Sequence, residues 1–291
     1  MCGMTNYQGR FLEVINYIET HLDTDLDVNA LCQHAYLSKY HFHRQCSAFF
    51  GMSVIKIVRL LRLKRAAYQL AYRENGSILD IALANGYESH EAFSRAFKKY
   101  FDKSPSDFRD TPNWAPWHAQ YDPILMLRNN IMSNTDNFNV EVVEVDEIAI
   151  AVMPHRGAPN RLGQTIQKFI EWRKLNRLPP SKSRTFNLVY DDPNTTAPED
   201  YRFDLCCSIE QSAEPNDYGV IDSVIPAGKC ARVRHTGSDD AIGIVVNFLY
   251  TQWLADSGYE IRDFPIYFER ISFFPDVPES EMITDVYLPI K

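Results

Sequence analysis

The apolar residues of this chain keep two different periods. Up to about residue 110 they recur every three or four positions, as on one face of a helix, and beyond about 140 they alternate, as on one face of a strand. Phe11, Val14, Ile15, Ile18 and Leu22 predict a first helix over about 11–21. Val54, Ile57, Val58, Leu61, Ala66 and Leu70 predict a long helix, opened by Ser53 and ending near Arg73 before the breaker Asn75-Gly76.

On either side of the long helix one pattern is written twice. SKYHFHRQCSAFF, from Ser38 to Phe50, returns as SHEAFSRAFKKYF, from Ser89 to Phe101, at an offset of 51 that also pairs Ala35 with Gly86, Tyr36 with Tyr87 and Ser53 with Ser104. In each copy a short apolar helix, Val28 to His34 or Ile78 to Asn85, leads through a tight turn to a serine placed to cap the next helix. Phe42 with Cys46, and Phe93 with Phe97, stand four apart on the inner face of that next helix. Lys39, Tyr40, His43 and Ser47, or His90, Glu91, Ser94 and Lys98, are left on its open faces. Helix, turn and second helix with a polar outer face is the helix-turn-helix pattern, whose second helix enters the DNA major groove. A joining helix of some 20 residues spans about 30 Å, close to the ~34 Å between successive major-groove faces. Residues 1–110 are therefore expected to form an all-α DNA-binding domain with two helix-turn-helix motifs joined by a long helix.

From Thr111 to Asn137 the period lapses amid Pro112, Pro116 and Pro123, and 111–136 reads as a linker. Beyond it, Val140 to Met153 and Val220 to Val233 contain alternating strands, 166–175 and 241–254 are helical, and 186–190, 201–209, 265–271 and 284–290 are strand-like. These elements repeat at an offset near 80: Gly157 matches Gly237, Phe169 matches Leu249, Leu188 matches Phe268 and, one residue further, Trp172 matches Trp253. Residues 137–291 are thus expected to be an α+β domain of duplicated β-α-β-β units sharing one antiparallel sheet, with a groove at the pseudo-twofold.

A net charge of −8 argues against a nucleic-acid partner until the chain is divided. Residues 1–110 hold 14 basic against 12 acidic residues, a net of +2, and the remainder 16 against 26, a net of −10. Val28 to Arg73 contains no Asp or Glu but carries Lys39, Arg44, Lys56, Arg59, Arg62, Lys64, Arg65 and Arg73, a stripe suited to phosphate contact or, alone, to a solvated basic face. Its coincidence with the repeated helix pair favours phosphate. The six cysteines lack any CxxC or disulfide spacing and read as buried hydrophobes in a reducing cytoplasm. Cys32, His34, His41, His43 and Cys46 crowd together but belong to different helices, so no metal site is expected. No signal peptide or membrane-length apolar run is present, and neither a catalytic motif nor a cofactor-binding motif emerges.

Ile81 to Arg109, IALANGYESHEAFSRAFKKYFDKSPSDFR, is the most specific stretch by which Phe11 to Arg109 resembles the AraC/XylS family of bacterial transcription regulators. The resemblance implies two recognition helices in adjacent major grooves of bent DNA, with Tyr40, His43 and Arg44 facing bases in the first and His90, Glu91, Ser94 and Arg95 in the second; Lys39 is expected on phosphate. The family usually has Trp at the place of Tyr40 and often Gln at those of His43 and His90. Arg44 and Arg95 are suited to fork onto guanine, with phosphate or the domain's own carboxylates as the alternative.

IPAGKCARVRHTG (Ile225 to Gly237), GYEIRDFPIYFERI (Gly258 to Ile271) and TDVYLPI (Thr284 to Ile290) resemble a GyrI-like effector-binding domain. That resemblance implies a carboxylate, here Glu269, in an aromatic pocket for organic cations; Tyr267, Trp172, Trp253 and Tyr287 are the aromatic residues assigned to it. Ile271 stands where the family often has Tyr. Read by itself, Glu269 shares a strand face with Tyr267 and Ile271, and a buried carboxylate there needs a partner: a ligand cation, or Arg270, Arg232 or Arg234. The whole is expected to be a cytoplasmic, non-enzymatic regulator whose partners are duplex DNA and a small effector, with RNA polymerase a possible third. Alternatively, the second half is a small-molecule hydrolase using Glu269 as base, or a ligand-sequestering module.

Overall fold

A computed structural model describes residues 7–24, 26–73, 76–133, 138–193 and 195–291. Cys2, Asn75 and the domain boundary expected at 136–137 lie outside the described residues. The chain divides into two compact units. The first contains the described residues up to 133 with Ser238–Ala241 and Phe274–Glu281; the second contains the rest.

In the first unit, α1 (Tyr7–Thr20) lays Phe11 against Phe42 and Phe50, with ring centroids 5.9 and 5.6 Å apart, and so roofs the first helix-turn-helix as its pattern predicts. That motif is α2 (Val28–His34) and α3 (Lys39–Phe50), and the second is α5 (Ile78–Ala84) and α6 (His90–Phe101). Between them α4 (Val54–Tyr72) buries Val54, Ile57, Leu61, Ala66 and Leu70. Ser38, Ser53, Ser77, Ser89 and Ser104 all cap helices, each side chain accepting from an amide three residues on. These bonds satisfy first-turn donors that have no intrahelical partner, which fixes where each helix begins.

The two motifs are not related by one ungapped offset. Tyr36 N donates to Gln33 O and Leu37 N to Cys32 O, while Gly86 N donates to Leu83 O and Tyr87 N to Ala82 O. The left-handed turn residues are correspondingly Tyr36 (φ 54°) and Gly86 (φ 75°), not Tyr36 and Tyr87. The offset is thus 50 through the first helix and 51 through the second, with one extra residue in the second turn. A Cβ at Gly86 would lie 2.7 Å from the Arg62 guanidinium, so close approach as well as φ selects glycine there.

The expected linker is helical. After the short α7 (Pro105–Asp110), α8 runs from Ala115 to Ser133 and buries Trp117, Tyr121, Ile124 and Leu127 in the first unit's core. Trp117 Nε1 donates to Leu60 O at 3.3 Å, and its ring stacks on Tyr121 at 4.4 Å. Neither proline ends the helix: Pro116 sits in the first turn, where its missing N–H costs nothing, and Pro123 is accommodated inside the helix.

The second unit is one antiparallel sheet in the order β1-β6-β8-β7-β3-β4-β2-β5. In chain order the strands are β1 (Val140–Val145), β2 (Ile148–Arg156), β3 (Thr185–Val189), β4 (Arg202–Ser208), β5 (Ile221–Ile225), β6 (Gly228–Thr236), β7 (Ile266–Arg270) and β8 (Ile283–Pro289). The order is a palindrome under exchange of β1, β2, β3, β4 with β5, β6, β7, β8, so the duplication is present and its pseudo-dyad passes between β3 and β7. The offset is 80 at β2/β6 and 81 at β3/β7 and β4/β8, which makes Glu269, rather than Phe268, the mate of Leu188.

Connectivity makes this sheet curl. Two residues join β1 to β2 and two join β5 to β6, spanning at most about 11 Å. In a flat sheet the strands so joined would lie six spacings apart, roughly 29 Å. The outer face carries α9 (Leu162–Leu175) and α10 (Ile242–Phe248), with Phe169, Trp172, Val245 and Leu249 buried against it. The inner face gathers Ile150, Val152, Phe186, Leu188, Cys206, Tyr267 and Tyr287.

Where α9 meets β2, His155 is buried, with Nδ1 2.8 Å from Thr165 Oγ1 and Nε2 3.3 Å from Ala158 O. A carbonyl can only accept, so Nε2 carries the proton and Nδ1 accepts from Thr165. Burial, more than any other influence, holds its pKa below the ordinary 6.5. The unfolded chain therefore binds a proton that the folded one resists, and stability should fall as pH drops through about 6.5. Thermal melts of wild type and His155→Gln between pH 7 and 5 check this, the variant losing less on acidification.

Candidate functional site

The serine caps and core aromatics orient α3 and α6 without using their outward residues. On α3 the buried residues are Phe42, Cys46 and Phe50; on α6 they are Phe93, Phe97, Tyr100 and Phe101. Lys39, Tyr40 and Arg44 are exposed and His43 half-buried; His90, Glu91 and Arg95 are exposed and Ser94 half-buried. Each set therefore shares one helix's open side. Contacts within the sets are long: Arg44 Nη1 donates to the Tyr40 hydroxyl at 3.4 Å, and Ser94 Oγ is 3.5 Å from His90 Nε2. Glu91 lies in the first turn of α6, where its own backbone amide and then the Ser89 hydroxyl hold its carboxyl below the usual range. It is thus an ionised acceptor, suited to a base amino group.

Half of the basic stripe is occupied within the protein. Arg62 donates to the carbonyls of Leu22 and Thr24, Arg65 to that of Ala84, Arg73 pairs with Asp276, and Lys64 is buried against Glu279 and Asp240. Lys39, Arg44, Lys56 and Arg59 remain exposed or half-exposed. Cys32 and Cys46 are core residues, burial pushing the Cys46 thiol up to about 12. Among the described residues no group of three His, Cys, Asp or Glu is placed to hold a metal.

In the second unit the pseudo-dyad brings together Glu269, Tyr267 and Tyr287 on the inner face. β7 pairs with β3 and β8 so that Glu269 stands opposite Phe186 and Asp285, and Tyr267 opposite Leu188 and Tyr287. The two tyrosine rings stack, 4.8 Å apart and 4° from parallel. The Tyr287 hydroxyl donates to Glu269 Oε2 at 3.3 Å, and burial, ahead of the neighbouring carboxylates, pushes its pKa up to about 12. Tyr267 lies 3.6 Å from Cys230 Sγ. Applying the 81-residue offset to this trio gives Leu188, Phe186 and Cys206, so the site is polar on one side of the dyad and apolar on the other.

Glu269 has a partner, but none of those considered from sequence. Arg184 Nε donates to Oε1 at 2.7 Å and Nη2 to Oε2 at 2.8 Å, a fork that holds Arg184 firmly protonated. Arg270 instead donates to Asn187 and Thr284, Arg232 pairs with Glu141, and Arg234 forks onto Asp285. Arg184 directly precedes β3 and shares the parity of Phe186, the residue opposite Glu269, but that pairing cannot be read from a single sequence.

Trp172 and Trp253 do not join this group. Trp172 is buried beneath α9 on the outer face. Trp253, at the end of a π-helical turn (Leu249–Trp253), stacks on Tyr259 and lines a separate cleft of about 280 Å³ with Phe248, Gln252, Asp256 and Ser257.

A doubled helix-turn-helix with open polar faces, in a chain with a duplicated sheet domain enclosing a carboxylate and tyrosines, defines a DNA-binding protein with a small-molecule domain. Comparison with known proteins agrees. Residues 138–291 match the GyrI-like small molecule binding domain, and 31–111 match a helix-turn-helix domain. The chain is 39% identical over 153 residues to the probable transcriptional regulator YgiV of Escherichia coli (strain K12), covering 52% of this chain and 96% of that protein. It is 40% identical over 103 residues, 35% of each chain, to the HTH-type transcriptional regulator YbfP of Bacillus subtilis (strain 168). The EcmrR C-terminal domain superposes with a TM-score of 0.44 and 18% identity over 53% of this chain and 98% of that one. The chain belongs to the GyrI-like family and combines that domain with a helix-turn-helix region. Among the described residues no helix is long and apolar enough to cross a membrane.

Proposed function

We propose that the chain is a one-component transcription regulator that reads a specific duplex through α3 and α6 and senses a small apolar cation beside Glu269. Lys39, Tyr40, His43 and Arg44 on α3, and His90, Glu91, Ser94 and Arg95 on α6, are the DNA-contacting groups, with Lys39 on phosphate. In the second unit Glu269, Tyr267 and Tyr287 hold the effector's charge, while Phe186, Leu188 and Cys206 face its apolar body. RNA polymerase is the further partner through which such a regulator acts.

The carrying observation is the enclosed carboxylate beside two stacked tyrosines, with its mate across the pseudo-dyad replaced by leucine. An enclosed carboxylate favours a cation over a neutral molecule of equal shape, and aromatic faces add to the attraction. Glu269→Gln should weaken tetraphenylphosphonium about tenfold or more and leave neutral triphenylphosphine oxide nearly unchanged, by isothermal titration. Equal loss for both would remove the charge from the account. Sensing further requires that the bound cation change transcription from a promoter carrying the operator; no change would leave a sequestering module.

A further inference from the structure

Arg184 holds the two contacts that an incoming cation would need. Its fork takes both oxygens of Glu269, and its guanidinium lies 4.9 Å from the centre of the Phe186 ring. The exposures are unequal: the Glu269 side chain is 9% exposed and that of Arg184 50%. The carboxylate is therefore enclosed while the arginine that holds it is half open to solvent. Displacing it would free one aromatic face and one carboxylate together, and the Tyr287 hydroxyl would still hold Glu269. The mate of Arg184 across the pseudo-dyad is Pro265, so the duplicated fold does not itself require a cation there.

We infer that Arg184 is a built-in competitor for the effector's place on Glu269, which every cation must displace in order to bind. The inference rests on the sensing role proposed for Glu269. Breaking the charge-assisted fork costs the same whichever cation enters, so it weakens all of them by a common factor, and the ranking among them is set by what each gives up of its own hydration. A primary ammonium is a compact, strongly hydrated charge and loses that exchange, whereas a cation spread over aromatic rings gives up far less water.

The test compares tetraphenylphosphonium with benzylammonium by isothermal titration on the full chain, using wild type, Arg184→Met, Arg184→Gln and Glu269→Gln. The glutamine variant keeps a hydrogen-bond donor for Glu269 and carries the test if the methionine variant does not fold. Removing the competitor should tighten tetraphenylphosphonium and benzylammonium alike, by about tenfold, leaving the preference between them unchanged. Unchanged or weaker binding in both Arg184 variants, with binding lost in Glu269→Gln, would make Arg184 a wall of the site and overturn the inference while the sensing role stands. If Glu269→Gln binds as wild type does, or if neither wild type nor the Arg184 variants bind the phosphonium, the sensing role falls and the inference with it.

Discussion

Lys64→Ala should destabilise the first unit by about 3–5 kcal/mol. Lys64 projects from the middle of α4 with 7% of its side chain exposed, Nζ 2.6 Å from Glu279 Oε1 and 3.5 Å from Asp240 Oδ2. The ammonium also sits 4.4 Å from the Tyr121 ring centre and 5.2 Å from that of Trp117. Burial opposes its charge, but Asp240 and Glu279 outweigh that effect and hold its pKa well above the ordinary lysine value. Removing the cation takes the ion-pair partner from a buried carboxylate at Glu279 and a partly buried one at Asp240, and the Ser238 hydroxyl, 3.0 Å from an oxygen of each, has a single proton to donate. Urea unfolding measures the loss. The double variant Lys64→Met, Glu279→Gln should recover most of it, because a buried pair replaced as a unit costs far less than one broken by half. A loss below about 1 kcal/mol for Lys64→Ala would show the charge to be solvated.

Arg95→Ala should weaken binding to a selected duplex by roughly 5- to 150-fold and relax preference at one base pair. Arg95 is exposed on α6, beside the ionised Glu91 and away from the Phe93–Phe97–Phe101 seam. Arg44 occupies the equivalent place on α3 but leans on the Tyr40 hydroxyl, so Arg44→Ala should cost less. Lys39→Ala, at the proposed phosphate contact, should weaken all sequences alike and lower the salt slope by about one. Competition binding against single-base operator variants separates these outcomes; an Arg95→Ala profile identical to wild type would remove α6 as a reader.

Much of this architecture was legible because it rests on local chemistry. The five serine caps, the Phe42–Cys46 and Phe93–Phe97 seams and the period-two strands follow from spacing alone. The sheet's palindrome was foreshadowed by the repeat near 80 residues. What the sequence hid depends on distant partners. Lys64, Arg62, Arg65 and Arg73 look like their neighbours in the basic stripe, and only the fold distinguishes an arginine tied to the Leu22 carbonyl from one facing outward. Trp172 and Trp253 matched the aromatic character expected of a pocket, yet helix periodicity turns both to the outer face of the sheet. Arg184 escaped notice because the β3–β7 pairing that brings it to Glu269 joins residues 85 apart in sequence. The one-residue difference between the two turns was masked by coincident tyrosines, Tyr36 and Tyr87, which the backbone places at different turn positions.

Hydroxyl-radical footprinting on a duplex obtained by selection, with and without tetraphenylphosphonium, tests the central claim most directly. Two heads joined by the 19-residue α4 should give two protected windows centred about 10 base pairs apart, and the cation should shift the midpoint of protection or its pattern. A single window, protection of unselected DNA at the same concentration, or a footprint indifferent to saturating cation would contradict it.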